Sequence, residues 1–90
     1  MNDKLKVLII DDHPLMRRGI QQLVELEEGF EVVGDAGNGS EGINLALQTS
    51  PDLIILDLNM KGLSGLDTLK ALRAEDVDAR IVILTVSDAK

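Results

Sequence analysis

Aspartate residues stand directly after two of the most apolar segments in this sequence of 90 residues. Asp11 and Asp12 follow the apolar run at residues 7–10, and Asp57 follows the run at residues 53–56. Carboxylate oxygens are hard ligands, so a group of such side chains suits a hard divalent cation such as Mg²⁺. These residues make a cation site, provided that the fold brings the two apolar segments side by side.

The apolar runs at residues 7–10, 53–56 and 81–84 are short, rich in β-branched residues and free of alternation. Such runs are typical of strands that are buried on both faces of a parallel sheet. A weaker strand is predicted at residues 30–33, and amphipathic helices are predicted between the strands. The order β-α-β-α-β-α-β favours a doubly wound α/β fold, because right-handed crossovers place helices on both faces of an open parallel sheet.

The predicted helices have recognisable ends and apolar faces. The first begins at Pro14, a residue suited to the first turn of a helix, and the second is capped by Ser40 and stopped before Pro51. One face of each helix should be buried: Met16, Ile20, Leu23 and Val24 in the first, Ile43, Ala46 and Leu47 in the second, and Leu66, Leu69 and Leu72 in the third. Because Phe30 is the only aromatic residue, the core must be aliphatic.

The ends of the strands decide where the candidate residues meet. In open α/β sheets, ligands bind outside the carboxyl ends of the strands, where the strand order reverses. With the flavodoxin-like order 2-1-3-4, Asp11, Asp12 and Asp57 converge at one edge of the sheet, and Thr85 follows the fourth strand. Three carboxylates in one place must hold protons or share a cation. This donor set favours Mg²⁺, with water molecules in the remaining coordination positions.

Composition limits the class of protein. The formal net charge is −7 and acidic residues occur along the whole sequence, which argues against direct binding of DNA or RNA by this segment. Disulfides and thiolate metal sites are excluded because the sequence has no cysteine. The first residues carry both charge signs and precede an apolar run that is too short for a signal peptide or a membrane span. We expect one small, soluble, cytoplasmic domain without a membrane partner.

Two segments resemble a known family. Residues 7–14 read VLIIDDHP and residues 56–65 read LDLNMKGLSG. Both are similar to the receiver domain of two-component response regulators, and in particular to its NarL/FixJ branch. The resemblance extends over essentially all ninety residues, so the whole chain, residues 1–90, is expected to form the N-terminal part of one receiver domain.

The resemblance implies a role for each candidate residue. Asp57 would be the phosphoacceptor, phosphorylated by a sensor histidine kinase or a small phosphodonor. Mg²⁺ would be held by Asp11, Asp12, Asp57 and the backbone carbonyl of Asn59, while Thr85 would be the switch hydroxyl that turns toward the new phosphoryl group. The resemblance also implies a C-terminal helix-turn-helix domain whose DNA binding the receiver controls, so that the intact protein regulates transcription.

The sequence departs from the family pattern in two places. Lys61 stands where the family often has proline. The family's phosphoryl-binding lysine, at the end of a fifth strand, has no counterpart, which predicts a C-terminally truncated receiver that lacks the last strand and helices. The apolar edge at residues 81–86 would then be uncovered, and such edges recruit other strands. We therefore expect homo-oligomers that form through the fourth strand.

A dinucleotide site is one alternative. Residues 37–42 read GNGSEG, a literal G-x-G-x-x-G before a helix. Against this interpretation, the preceding strand is expected to end near Val33, Asp35 intervenes before the first glycine, and Asp11 and Asp12 are left without a role. A flexible glycine turn followed by the Ser40 cap is the simpler interpretation.

A second alternative is a phosphatase or phosphotransferase of the haloacid-dehalogenase kind. That chemistry needs a second aspartate two residues after the nucleophile, and here this position is Asn59, which cannot shuttle a proton. We therefore expect a stoichiometric phosphoacceptor that is not an enzyme. His13 is interpreted as a loop residue near the site. Arg17 and Arg18 lie either on a kinase-binding surface or on a solvated helix face.

Overall fold

Strands and helices alternate along the chain in the computed structural model, which describes residues 3–60 and 64–84. The elements are β1 (Leu5–Ile10), α1 (Pro14–Glu25), β2 (Phe30–Ala36), α2 (Gly39–Thr49), β3 (Leu53–Asp57), α3 (Gly65–Ala74) and β4 (Arg80–Leu84). The predicted order of elements is therefore confirmed. In the described part of the chain, no helix is both long enough and apolar enough to span a membrane.

The four strands form one parallel sheet in the order β2-β1-β3-β4. This is the flavodoxin-like order that the sequence predicts. Ile10 lies opposite Leu56 in the β1–β3 pair, and Asp57 lies opposite Leu84 in the β3–β4 pair. The carboxyl ends of β1 and β3 are therefore adjacent, and the residues that follow them share one edge of the sheet.

The main core lies between the sheet and the two helices α2 and α3. Leu8 and Ile10 of β1 and Leu72 of α3 are fully buried in this aliphatic cluster. Side chains alternate between the faces of a strand, so Val7 points to the opposite face, where it lines a shallow groove together with Leu23 of α1. The helices thus lie on both faces of the sheet, as a doubly wound fold requires.

Several side chains that were predicted to be buried are exposed. No residue of α1 is buried, and Leu23 is 66% exposed; Met16, Leu47 and Leu66 are exposed as well. In the edge strand β4, Val82 and Ile83 are also exposed, so the prediction that this strand is buried on both faces is wrong. An apolar pattern identifies the face that seeks burial, but burial also needs a neighbouring element to cover that face.

The boundaries around β2 and α2 also differ from the prediction. β2 continues past Val33 to Ala36, because an irregularity in the β1–β2 pairing shifts the register between Val7 and Leu8 and lets the strand resume. Asn38, rather than Ser40, caps α2: its side-chain oxygen accepts a hydrogen bond from the backbone N–H of Glu41 at 2.8 Å. The helix ends at Thr49 and is followed by its C-cap, Ser50, whose φ of 48° is left-handed, and then by Pro51.

Candidate metal centre

The carboxylates predicted to meet do lie together at the edge of the sheet. Asp11 continues the β1–β2 ladder, since its backbone N–H donates to the carbonyl of Ala36 at 3.0 Å. Asp57 is the last residue of β3. One ligand atom from each of Asp11, Asp12, His13 and Asp57 lies within 4.8 Å of all the others. The adjacency of β1 and β3 therefore produces the cluster.

Backbone hydrogen bonds hold one oxygen of each buried carboxylate. The N–H of His13 donates to Asp11 Oδ1 at 2.8 Å, and the N–H of Asn59 donates to Asp57 Oδ1 at 2.9 Å. These contacts fix the orientation of both side chains, and the second oxygen of Asp57, Oδ2, lies within the cluster at 3.4 Å from His13 Nδ1.

The second oxygen of each buried carboxylate makes no hydrogen bond within the described part of the chain. Asp11 and Asp57 are 1% and 0% exposed, and the Oδ2 atom of each has no hydrogen-bond partner among the described residues. A buried carboxylate oxygen without a partner is energetically costly unless a cation neutralises it. Because the donors in this group are mainly carboxylates with one side open to solvent, they fit a hydrated divalent cation.

His13 is closer to the cluster than the sequence suggested. Its Nδ1 atom lies 3.1 Å from Asp11 Oδ1, 3.0 Å from Asp12 Oδ1 and 3.4 Å from Asp57 Oδ2. The hydrogen bond to Asp11 is the main cause that raises the pKa of His13 above its usual value; the negative charges of the three aspartates raise it further, and burial opposes the change. His13 is therefore a loop residue near the site, as predicted, and its ring contacts the carboxylates directly.

Arg17 connects the site to β2. Its Nη1 atom donates to the backbone carbonyl of Asp11 at 2.6 Å, and its Nε atom donates to Asp35 Oδ2 at 3.2 Å. Arg18, the next residue, is exposed. An exposed Arg18 fits both a solvated helix face and a kinase-binding surface, whereas Arg17 anchors the segment that carries the site aspartates.

Replacing Arg17 with alanine should lower the free energy of unfolding by about 1–2 kcal/mol, because two hydrogen bonds to a charged donor are lost at a partly exposed position. The Arg18→Ala variant, with the same change one residue away, should stay within about 0.5 kcal/mol of the parent protein. Urea unfolding in metal-free buffer measures both effects. Equal losses in the two variants would show that the contacts of Arg17 contribute nothing specific.

The glycine segment is occupied by its own side chains. Glu41 Oε1 accepts a hydrogen bond from the N–H of Gly37 at 3.2 Å, while Asn38 caps the helix. A carboxylate therefore lies at the helix N-terminus where a dinucleotide would place its pyrophosphate. The predicted end of this strand near Val33 was wrong, because β2 extends to Ala36, directly before Gly37. The occupied N-terminus nevertheless disfavours the nucleotide alternative.

Two of the predicted site residues are placed only in part or not at all. Asn59 lies two residues after Asp57 and is exposed; its N–H contact with Asp57 is the part of its role that the structure describes. Its carbonyl as a metal ligand stays a prediction. Thr85, the predicted switch hydroxyl, and Lys61 lie outside the described residues.

Comparisons with known proteins bear on this geometry. Residues 7–90 match the response regulator receiver domain family. The chain is 81% identical over 90 residues to a nitrate/nitrite response regulator protein homolog of Haemophilus influenzae, covering 100% of this chain and 43% of that protein. It is 63% identical over 84 residues to the nitrate/nitrite response regulator protein NarP of Escherichia coli, covering 93% of this chain and 39% of that protein. The chain thus spans less than half the length of these relatives.

Solved structures of response regulators have the same fold. The signal receiver domain of the putative response regulator NarL from Mycobacterium tuberculosis superposes with a TM-score of 0.89 at 31% sequence identity, covering 97% of this chain and 70% of that chain. A LuxR-family response regulator from Aurantimonas superposes with a TM-score of 0.88 at 32% identity, covering 96% of this chain and 61% of that chain.

Proposed function

Because the chain belongs to the response regulator receiver domain family, we propose that Asp57 accepts a phosphoryl group from a sensor histidine kinase. The whole chain, residues 1–90, would form the N-terminal part of this receiver domain. The burial of Asp57, whose Oδ2 atom has no hydrogen-bond partner among the described residues and whose carboxylate lies close to those of Asp11 and Asp12, is the observation that carries the proposal.

The chemistry is a displacement at phosphorus. An oxygen of Asp57 forms the new bond to phosphorus while the bond between phosphorus and the donor's nitrogen or oxygen breaks. The donor leaves with that electron pair and takes up a proton. The hydrogen bond from the N–H of Asn59 to Asp57 Oδ1 supports this role, because it fixes the carboxylate and leaves the other oxygen to react.

Mg²⁺ is the cation that the proposed reaction needs. Asp11, Asp12, Asp57 and the backbone carbonyl of Asn59 would hold it. The buried Oδ2 atoms of Asp11 and Asp57, which have no hydrogen-bond partner among the described residues, support this set. When bound, the cation neutralises the negative charge on the transferring phosphoryl group. The residues of the chain supply the positioning: β1 and β3 set the distance between Asp11 and Asp57, and Arg17 fixes the backbone of Asp11.

Stoichiometric phosphorylation, rather than turnover of a substrate, is the proposed outcome. A phosphatase of the aspartate-nucleophile type needs an acid/base group two residues after the nucleophile, and Asn59 cannot transfer a proton. Thr85 would act as the switch hydroxyl that senses the new phosphoryl group.

The proposal for the intact protein rests on the relatives. Their names, nitrate/nitrite response regulator protein homolog and NarP, support a cytoplasmic transcription regulator of the NarL/FixJ type that responds to nitrate or nitrite. Phosphorylation of the receiver would control a DNA-binding output domain. The exposed side chains Val82 and Ile83 on the edge strand β4 support self-association through that strand.

A phosphodonor assay tests the central proposal. The protein is incubated with acetyl phosphate, with Mg²⁺ in one sample and EDTA in another, and then analysed by intact mass spectrometry. One phosphoryl group should be added only in the presence of Mg²⁺, and borohydride reduction of the acyl phosphate followed by peptide mapping should locate it on Asp57. Incorporation at another residue, or equal incorporation with EDTA, would contradict the proposal.

A further inference from the structure

One ring nitrogen of His13, Nδ1, lies close to three carboxylates at once. This atom is 3.1, 3.0 and 3.4 Å from carboxylate oxygens of Asp11, Asp12 and Asp57. All three oxygens are acceptors, and Nδ1 can donate at most one hydrogen. One proton therefore cannot satisfy three carboxylates, and a shared cation accounts for the arrangement better.

The distances have the spacing of ligands around one ion. Imidazole nitrogen and carboxylate oxygen bind divalent transition metals at about 2.0–2.2 Å, so two such ligands on one ion lie about 3–3.5 Å apart. The three distances from Nδ1 fall in this range. All four ligand atoms of the group lie within 4.8 Å of one another, so small side-chain adjustments would bring them around one ion.

Buried oxygens give a second, independent indication. Asp57 is fully buried, and its Oδ2 atom, which faces His13, has no hydrogen-bond partner among the described residues. The His13 side chain is 58% exposed, so its other ring nitrogen can keep its hydrogen in contact with solvent while Nδ1 offers a lone pair. The group therefore presents both a buried carboxylate oxygen and an imidazole nitrogen to a shared cation.

We propose that this site also takes a divalent first-row transition cation, such as Co²⁺ or Zn²⁺, with His13 Nδ1 as the fourth ligand beside Asp11, Asp12 and Asp57. The inference rests on the carboxylate site of the proposed function and adds a nitrogen ligand to it. Mg²⁺ favours oxygen donors and keeps its water molecules, whereas imidazole suits transition metals. His13 thus sets which metals compete with Mg²⁺ for the site.

Metal titration of the protein and its His13→Ala variant separates the contribution of the imidazole nitrogen from that of the carboxylate oxygens. Co²⁺ is the probe, because its visible absorption and its paramagnetic NMR shifts report the ligands directly. The protein is prepared without a polyhistidine tag, which would itself bind Co²⁺. Loss of His13 should weaken Co²⁺ binding at least about tenfold and leave Mg²⁺ binding within about threefold. Since His13 is the only histidine of the sequence, one paramagnetically shifted ring N–H signal should appear in the parent protein and vanish in the variant.

Two controls make the result decisive. The His13→Gln variant keeps a polar side chain but no ring nitrogen, so it should resemble His13→Ala toward Co²⁺. The Asp57→Asn variant, which removes a ligand common to both cations, should weaken Mg²⁺ and Co²⁺ alike.

Equal Co²⁺ affinity in the parent protein and the His13→Ala variant would overturn the inference. So would tighter binding of both metals in the variant, because His13 would then only block the cation position. Either result leaves Mg²⁺-dependent phosphorylation of Asp57 to be judged by the phosphodonor assay, so failure of the two proposals can be told apart.

Discussion

Replacing Asp57 with asparagine should abolish phosphorylation and, in the same protein, raise the free energy of unfolding in metal-free buffer. The amide oxygen can still accept the hydrogen bond from the N–H of Asn59, so the local backbone is held. The variant removes one of several negative charges that are grouped at a buried position. Since like charges repel strongly where water is excluded, we expect a gain of about 1–3 kcal/mol.

Magnesium should reverse this difference. A cation that binds only the folded state stabilises it in proportion to the logarithm of its concentration over the dissociation constant. Saturating Mg²⁺ should therefore raise the midpoint of thermal unfolding of the parent protein and change that of Asp57→Asn much less. Calorimetry with and without Mg²⁺ gives both values, and acetyl phosphate treatment of the same samples gives the loss of phosphorylation.

Asp76→Asn is the matched control for this experiment. It makes the same chemical change at an exposed position, and Asp76 has a left-handed φ of 59°, which asparagine tolerates well. Phosphorylation and the response to Mg²⁺ should both be retained. Asp57→Asn protein that is less stable than its parent without metal, or that still gains a phosphoryl group at this site, would contradict the proposed role.

The carboxylate cluster could be predicted because strand ends are encoded locally. The apolar runs define β1 and β3, and a parallel register forces the residues after them to one edge. Asp11, Asp12 and Asp57 therefore follow from the pattern once the strand order is known. The flavodoxin-like fold class supplied the strand order, and the family resemblance supplied the chemistry of phosphorylation; periodicity alone gives neither.

The contacts of His13 and Arg17 could not be predicted in the same way. His13 occupies the N-cap of α1 with extended backbone angles, and this local geometry, rather than residue type, turns its ring over the carboxylates. Arg17 lies one helical turn later, so its side chain shares the same side of the helix. Sequence spacing places Arg17 near the site, but it does not reveal that the acceptor is a backbone carbonyl.

Burial was the least predictable property of the fold. The predicted burial of the apolar face of α1 was wrong, because burial depends on elements that pack against that face, and Leu23 remains 66% exposed. The length of β2 depends on an irregular pairing with β1 near Val33, a feature of two strands together. The pattern of one segment cannot predict burial or strand length when these depend on how two elements pack together.

Replacing Gly65 with alanine should damage both stability and metal binding, because this glycine packs against the backbone that carries Asp57. Gly65 is the first residue of α3 and is buried. A Cβ atom there would lie 2.5 Å from the carbonyl oxygen of Asp57 and would also collide with the backbone of Leu58. Because backbone atoms cannot move aside as a flexible side chain does, the end of β3 must shift.

We expect Gly65→Ala to lower the free energy of unfolding by about 1–3 kcal/mol. The displaced Asp57 should also weaken Mg²⁺ binding about tenfold or more, since ligand orientation controls metal affinity. Urea unfolding and isothermal titration with Mg²⁺ measure the two effects on the same preparation.

Two other glycines distinguish a local effect on the site from general destabilisation. Gly19, within α1, has no atom within 4 Å of an added Cβ, so Gly19→Ala should gain up to about 1 kcal/mol from helix propensity. Gly42, within α2, would bring its Cβ 2.5 Å from Cδ1 of the buried Ile10. Gly42→Ala should therefore lose stability through the core while its folded fraction keeps Mg²⁺ affinity. If Gly42→Ala weakened Mg²⁺ binding as much as Gly65→Ala, the contact between Gly65 and the Asp57 backbone would not be what positions the metal ligand.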